Sequence, residues 1–301
     1  MNPLPLTVIS GYLGAGKTTT VNQILAEADG RRILVLVNDF GDIAIDEELI
    51  AAREGDTLSL SNGCVCCAIT GDLFKAFSLA LDRVPRPDHL VIEASGVAEP
   101  NRIANFARAE PDLRLDAIIT VVDALNIRAH ARDPLISQTI ETQLASAGLL
   151  LITKHNLCSA GEINILDGWL AEHWARIPIA RAPANLDILL GPMPSDNVKQ
   201  THSHNHEELY ERWAFKSSQT PDRHAISALL DALPEGILRL KGICVSTADA
   251  FEFHIAGQHQ NVQTISSQSA CGLRVVAIGL KNTLPKQELE THFSKLAEKT
   301  L

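Results

Sequence analysis

Positive charge is the first shortage in this sequence. Its 301 residues hold 26 lysines and arginines against 36 aspartates and glutamates, a formal net charge of −10. So acidic a chain has no broad attraction for nucleic acid or anionic membrane, and only a local basic site would escape that exclusion. Cysteine is short as well: there are six, and Cys158, Cys244 and Cys271 stand far apart. Scattered thiols make no secreted disulfide framework, which points to a reducing compartment. A chain of this length buries enough core to hold together without disulfides. No stretch approaches the ~18 apolar residues of a membrane span. The opening MNPLPLTVISGYLGAGKT has neither the basic head nor the long apolar run of a signal peptide. A cytoplasmic location is expected. There is also no Ser-His-Asp order, no H-E-x-x-H helix, no internal repeat and no coiled-coil heptad, which sets aside triad hydrolysis, zincin chemistry and solenoid architecture.

What the sequence does contain is an alternation. LTVIS (6–10), ILVLV (33–37), HLVIEAS (89–95), DAIITVVD (116–123), GLLLIT (148–153) and IPIA (177–180) are short, near-continuous apolar runs. Such runs suit strands covered on both faces. Helical patterns at 17–28, 71–84, 137–147 and 162–174 fall between several of them. The fold expected is α/β, a mostly parallel sheet with helices on both faces. The texture changes at RAPANLDILLGPMPSDNVKQTHSHNHE, rich in Pro, Asn, Ser and His, which reads as a linker. Beyond it come a helix at 221–233, the strands ILRLKGICVST, AFEFHIAG and GLRVVAIGL, and a last helix at 286–299. The expected domains are 1–182, a linker at 183–207, and a small α+β domain with an antiparallel sheet at 208–301.

The chemistry begins after the first strand. Gly11-Tyr-Leu-Gly14-Ala15-Gly16-Lys17-Thr18 fills the pattern G-x-x-x-x-G-K-[ST] and opens a helix, as a P-loop must. Glycines let backbone N–H groups curl around phosphate oxygens, and the helix N-terminus adds positive potential. Lys17 is expected on the β- and γ-phosphates, Thr18 on Mg²⁺, and Thr19 beside them. Glu93, ending an apolar run, is the acid expected to hold Mg²⁺ through water, and Gly96 places an amide for the γ-phosphate. VNDFGDIAIDEEL (37–49) carries Asp39, Asp42 and Asp46 and has the character of a switch segment. Asp46 joins Lys17, Thr18 and Glu93 in the expected catalytic set; a solvated acidic loop accounts for at least one of the three aspartates.

Base recognition is expected at Thr153-Lys154-His155-Asn156, where guanine-specific P-loop proteins carry N-K-x-D. Lys154 can lay its stem over the base. An aspartate would accept two hydrogen bonds from guanine, whereas Asn156 offers one acceptor oxygen and a competing NH₂ donor. Guanine selectivity should weaken accordingly.

GCVCC, at 63–67, crowds the remaining cysteines into one stretch. Cys64, Cys66 and Cys67 can reach one ion if the chain bends, and Gly63 permits the bend. A helical pattern starting near Gly71 lowers their pKa. Soft sulfur selects Zn²⁺ or Cu(I) over Mg²⁺, and three ligands leave a fourth position open for transfer. A C-x-x-C redox pair and inert buried thiols are the competing readings, with metal favoured over both. His202, His204 and His206 alternate along the linker and can collect loosely held metal, although a plain polar linker is the better reading. Trp169, Trp174 and Trp213 read as packing or surface.

Together these segments resemble the CobW family of P-loop GTPases, relatives of the urease and hydrogenase nickel-insertion GTPases. The resemblance runs through S-G-Y-L-G-A-G-K-T-T, N-D-F-G-D-I-A-I-D, G-C-V-C-C, E-A-S-G-V-A-E-P, the histidine-bearing linker and L-P-E-G-I-L-R-L-K-G. The departures are Thr153 and Asn156, and Asp39 and Asp42 where the family has glutamates. The resemblance implies GTP hydrolysis coupled to handling a divalent metal, zinc first and cobalt second, bound by Cys64, Cys66, Cys67 and Asp42. It implies a client metalloprotein or cofactor-assembly enzyme as partner, and a monomer or a nucleotide- or metal-dependent dimer. The expected activity is a GTP-hydrolysing metallochaperone with slow intrinsic turnover, since no water-positioning Gln or cis arginine stands out. Two alternatives stay open: a nucleotide-gated zinc or thiol-redox sensor that transfers no metal, and a small-molecule kinase, against which no acceptor motif is found.

Overall fold

The computed structural model describes residues 2–28, 30–37, 57–59, 69–192, 210–257, 259–266 and 271–298. Asp39, Asp42, Asp46, Cys64, Cys66, Cys67 and the three linker histidines lie outside the described residues. The chain divides into two units, one spanning Pro3–Pro183 and one beginning at Ala184.

Among the described residues the first unit has seven strands: β1 (Leu4–Ser10), β2 (Ile33–Val37), β3 (Thr57–Ser59), β4 (His89–Glu93), β5 (Leu113–Asp123), β6 (Leu149–Thr153) and β7 (Ile179–Arg181). They run in the order β3-β2-β4-β1-β5-β6-β7, and every pairing is parallel. β2, β4, β5 and β6 are buried at every residue, as the apolar runs require of strands covered on both faces. The described helices are α1 (Lys17–Ala26), α2 (Ile69–Leu81), α3 (Pro100–Ala109), α4 (Ile127–His130), α5 (Ser137–Ala145) and α6 (Ala160–Trp174). Phe77, Ala80, Ile103 and Ala107 of α2 and α3 pack on Leu6, Val8, Leu90 and Ile92. Ile140, Leu144, Leu166 and Leu170 of α5 and α6 pack on Leu150 and Ile152. Successive strands are laid to one side of β1 until β4, and then β5 is laid on the other. This reversal makes the carboxyl end of β1 a topological switch point, where open α/β sheets bind ligands.

β5 begins before the apolar run starts. Arg114 and Asp116 interrupt its hydrophobicity, yet both are buried and their side chains meet at 3.3 Å, so the charges neutralise each other inside the sheet. α3 starts with Pro100 at its first position, where a missing N–H costs nothing. α6 starts two residues before the sequence pattern, on a capping box: the Ser159 hydroxyl accepts from Glu162 N–H while Glu162 accepts from Ser159 N–H.

In the second unit five strands, β8 (Tyr210–Ser217), β9 (Arg239–Val245), β10 (Ala250–Ala256), β11 (His259–Thr264) and β12 (Gly272–Leu280), form one antiparallel sheet in the order β11-β10-β9-β12-β8. Two helices, α8 (Arg223–Asp231) and α9 (Lys286–Glu298), pack Ile226, Leu230, Leu289 and Phe293 against Leu240, Phe253 and Val275. Part of the stretch read as linker is folded: α7 (Leu186–Leu190) is capped by the Asn185 side chain and buries Leu186, Ile188, Leu189 and Leu190. Arg239, 1% exposed, donates to the carbonyls of Ile188 (2.7 Å) and Leu189. The apolar LDILL segment therefore belongs with the second unit's packing.

Candidate functional site

β1 ends at Ser10, and the next residues turn sharply. Gly11, Gly14 and Gly16 have φ of +136°, +72° and +100°, values that L side chains rarely adopt. The Ala15 N–H donates to the Tyr12 carbonyl at 3.1 Å, and the Thr20 hydroxyl donates to the Gly16 carbonyl at 3.0 Å, which closes the loop onto the first turn of α1. Lys17 is buried, and its Nζ donates to the Tyr12 carbonyl at 3.3 Å, arching over the loop it follows. Thr19 is exposed on α1.

The hydroxyl of Thr18 donates to Glu93 Oε1 at 2.8 Å. That bond joins the first turn of α1 to the end of β4, where Glu93 is 3% exposed. A Thr hydroxyl and a buried carboxylate in contact beside a P-loop are hard oxygen donors of the kind Mg²⁺ takes. Gly96, three residues on, lies against the P-loop: a Cβ there would stand 2.8 Å from the Leu13 backbone N and 2.5 Å from its side chain. Its backbone is anchored from α5, because the buried Gln143 donates to the carbonyls of Gly96 (3.0 Å) and Ala98 (3.3 Å). Gln143 was not singled out from the sequence; a glutamine in an amphipathic helix carries no signal until its partners are known.

The segment expected at the base is built differently. Thr153 is buried, and its hydroxyl donates to the carbonyls of Ala15 (2.7 Å) and Val122 (3.2 Å). Its side chain grips the phosphate loop. Lys154 follows with φ +55° and places its Nζ 2.7 Å from Asp123 Oδ2. Asp123, at the end of β5, also accepts from Leu125 N–H (2.9 Å) and the Asn126 amide (2.8 Å). Burial pushes the Asp123 carboxyl up, but the bonds from Lys154, Asn126 and Leu125 outweigh it and hold the group below its usual value. Asn156 is exposed on the 3-10 turn His155–Leu157.

Lys17, Thr18, Glu93 and Gly96 thus share the switch point, and Thr153 ties the base segment to it. Among the described residues no group of three or more His, Cys, Asp or Glu side chains is placed to hold a metal ion. Two of the scattered cysteines are poor thiolates: burial pushes Cys244 up to about 11, and burial with the nearby Glu162 and Asp123 carboxylates raises Cys158. No helix among the described residues is long and apolar enough to cross a membrane.

Residues 5–180 match the CobW/HypB/UreG nucleotide-binding domain, and residues 210–297 match the cobalamin synthesis protein CobW C-terminal domain. The zinc chaperone CobW of Sinorhizobium sp is 31% identical over 275 residues, which cover 80% of this chain and 77% of that protein. The zinc chaperone YjiA of Escherichia coli (strain K12) is 35% identical over 216 residues, 67% of this chain and 66% of that one. The crystal structure of Zn(II)-bound YjiA GTPase from E. coli aligns over 98% of this chain and 99% of that chain, at 26% identity and a TM-score of 0.48. With a P-loop at the switch point and the family matched through both units, the chain belongs to the CobW/HypB/UreG family of nucleotide-binding proteins and carries the CobW C-terminal domain.

Proposed function

We propose that this chain is a GTP-hydrolysing metallochaperone that carries zinc, with cobalt as the alternative cargo, to a client metalloprotein or cofactor-assembly enzyme in the cytoplasm. The observation that carries the nucleotide half is the Thr18–Glu93 contact at 2.8 Å beside the P-loop. The cargo half is supported by Cys64, Cys66 and Cys67 in the sequence and by the names of the relatives, zinc chaperones and zinc-regulated GTPase metalloprotein activators.

The loop N–H groups of 13–18 and the α1 N-terminus would receive the phosphates, and Lys17 would leave the Tyr12 carbonyl for the β- and γ-phosphate oxygens. Thr18, and Glu93 through water, would hold Mg²⁺, which when bound neutralises charge on the β- and γ-oxygens. Gly96 would direct its N–H at the γ-phosphate, with Asp46 brought up from the switch segment. Water adds to the γ-phosphorus, the bond to the β-γ bridging oxygen breaks, and GDP and phosphate leave. The Lys154 stem and Asn156 would hold the base. Cys64, Cys66, Cys67 and Asp42 would hold the cargo metal, and the C-terminal domain would help recognise the client.

Two measurements test this. Phosphate release from GTP with Mg²⁺ should be slow and should vanish in Lys17→Ala. Zinc competition against a chromophoric chelator should show one tight site that is lost in the Cys64→Ser/Cys66→Ser/Cys67→Ser variant. Zinc affinity unchanged by those three substitutions would remove the cargo site; retained zinc with no transfer to an apo-client would turn the protein into a sensor.

A further inference from the structure

We propose that Asp123 is a positioning residue for the nucleotide base, a latch that fixes the Lys154 side chain as a rigid apolar bar for the purine ring. The inference rests on the base assignment above and extends it to a residue outside the T-K-H-N segment.

Lys154 is held at both ends. Its α-carbon sits in the left-handed region at the end of β6, and its ammonium lies 2.7 Å from Asp123 Oδ2 at the end of β5. Asp123 and Thr153 are register partners on these adjacent strands, so the lysine stem must bridge the two strand ends. The latch is itself locked, since Asp123 accepts from Leu125 N–H and from the Asn126 amide. Exposure divides the pair: the Asp123 side chain is 8% exposed and that of Lys154 is 35% exposed. The acid is shut in while about a third of the lysine side chain stays exposed.

A free lysine loses most of its rotamer freedom when it packs against a ligand. Here that ordering is done before the nucleotide arrives, which is how preorganisation raises affinity. The latch should also weigh heavily in this chain. Asn156 replaces the carboxylate that reads two donors on guanine's edge, so more of the base affinity falls to the ring face. A ring face looks the same to a methylene bar whatever its edge carries. Losing the latch should therefore weaken GTP, ITP and XTP by a similar factor.

The test is steady-state hydrolysis of these three nucleotides by the full chain. Asp123→Asn should raise KM for each about tenfold, the value of one charge-assisted hydrogen bond, and leave kcat within about twofold. Asp123→Glu should recover part of the loss. Lys154→Met keeps the stem and drops the ammonium; adding Asp123→Asn to it should cost nothing more, because the two act as one unit. Acylation footprinting of the nucleotide-free chain reads the latch directly: Lys154 should react slowly in the natural chain and faster in Asp123→Asn. An unchanged KM with faster acylation makes the pair a structural ion pair and overturns the proposal, as does a loss confined to GTP. If Lys154 reacts equally fast in both chains, no latch exists. If the natural chain binds no purine triphosphate while Lys154 stays protected, the base assignment fails and takes this role with it.

Discussion

The P-loop and the T-K-H-N segment proposed for the base follow strands of one sheet, with β5 between them, and are held by different means. At the phosphate end the chain's own backbone is the instrument. Three positive-φ glycines shape the loop, and Gly96 approaches it too closely to tolerate a Cβ. Thr18 and Glu93 are already in contact. At the base end side chains are the instrument: Thr153 on Ala15, Lys154 on Asp123, and Asn156 exposed. Phosphates are alike in every nucleotide, so one backbone cradle with Lys17, Thr18 and Glu93 beside it serves them all, and few residue types can supply it. Purines differ from one another at their edges, so the proposed recognition rests on single side chains that change without disturbing the fold.

The largest break in that contrast is Lys17→Ala. It should lower kcat/KM for GTP by about a thousandfold through lost charge stabilisation, with the thermal midpoint hardly moved, as read by phosphate release and calorimetry. Gly96→Ala comes next. Its Cβ would press on Leu13, and both the loop and the anchor on Gln143 must shift. Hydrolysis should fall about 10- to 100-fold, with about 1–3 kcal/mol of stability lost in denaturant melts.

Asn156→Asp acts only on the base end. It restores a two-acceptor carboxylate and should move the GTP-to-XTP preference about tenfold toward GTP without changing kcat. An unchanged preference would mean that Asn156 does not face the base. The smallest expected effect is on acid stability. The Asp123 carboxyl titrates below its usual value in the folded chain. Its stabilisation is therefore complete above the unfolded-state pKa and is lost as pH falls through the folded-state value. Asp88, held down by Arg32, gives a slope of the same sign. The difference between the natural chain and Asp123→Asn in urea midpoints from about pH 7 to about pH 3 isolates the Asp123 share, and the variant should show the flatter profile.

How much of this the sequence disclosed follows the same division. Backbone-built parts were legible: GYLGAGKT needs its glycines at fixed places, and β2, β4 and β6 are buried throughout, with apolar runs that show a strand covered on both faces. β5 was read only from Asp116 because Arg114 looks like a break until it is seen to pair with Asp116. β8 and β11 escaped notice as edge strands of half-exposed polar sequence. α3, with Pro100 at its first position, was not read, because its polar residues Asn101, Arg102, Asn105 and Arg108 break the apolar pattern. Thr153 was expected at the base, and its hydroxyl lies on the P-loop. Asp123 was invisible as a site residue because it meets Lys154 from 31 residues away, and no spacing rule links strand ends brought together only by the sheet.

Under the proposed function, nucleotide and cargo metal share one equilibrium. The direct measurement is calorimetric binding of GTP, with ATP and XTP as controls, with and without one equivalent of Zn²⁺. Zinc should tighten GTP binding, and the effect should disappear in the Cys64→Ser/Cys66→Ser/Cys67→Ser variant, because linkage between two sites is reciprocal. GTP affinity identical with and without zinc in the natural chain would contradict it.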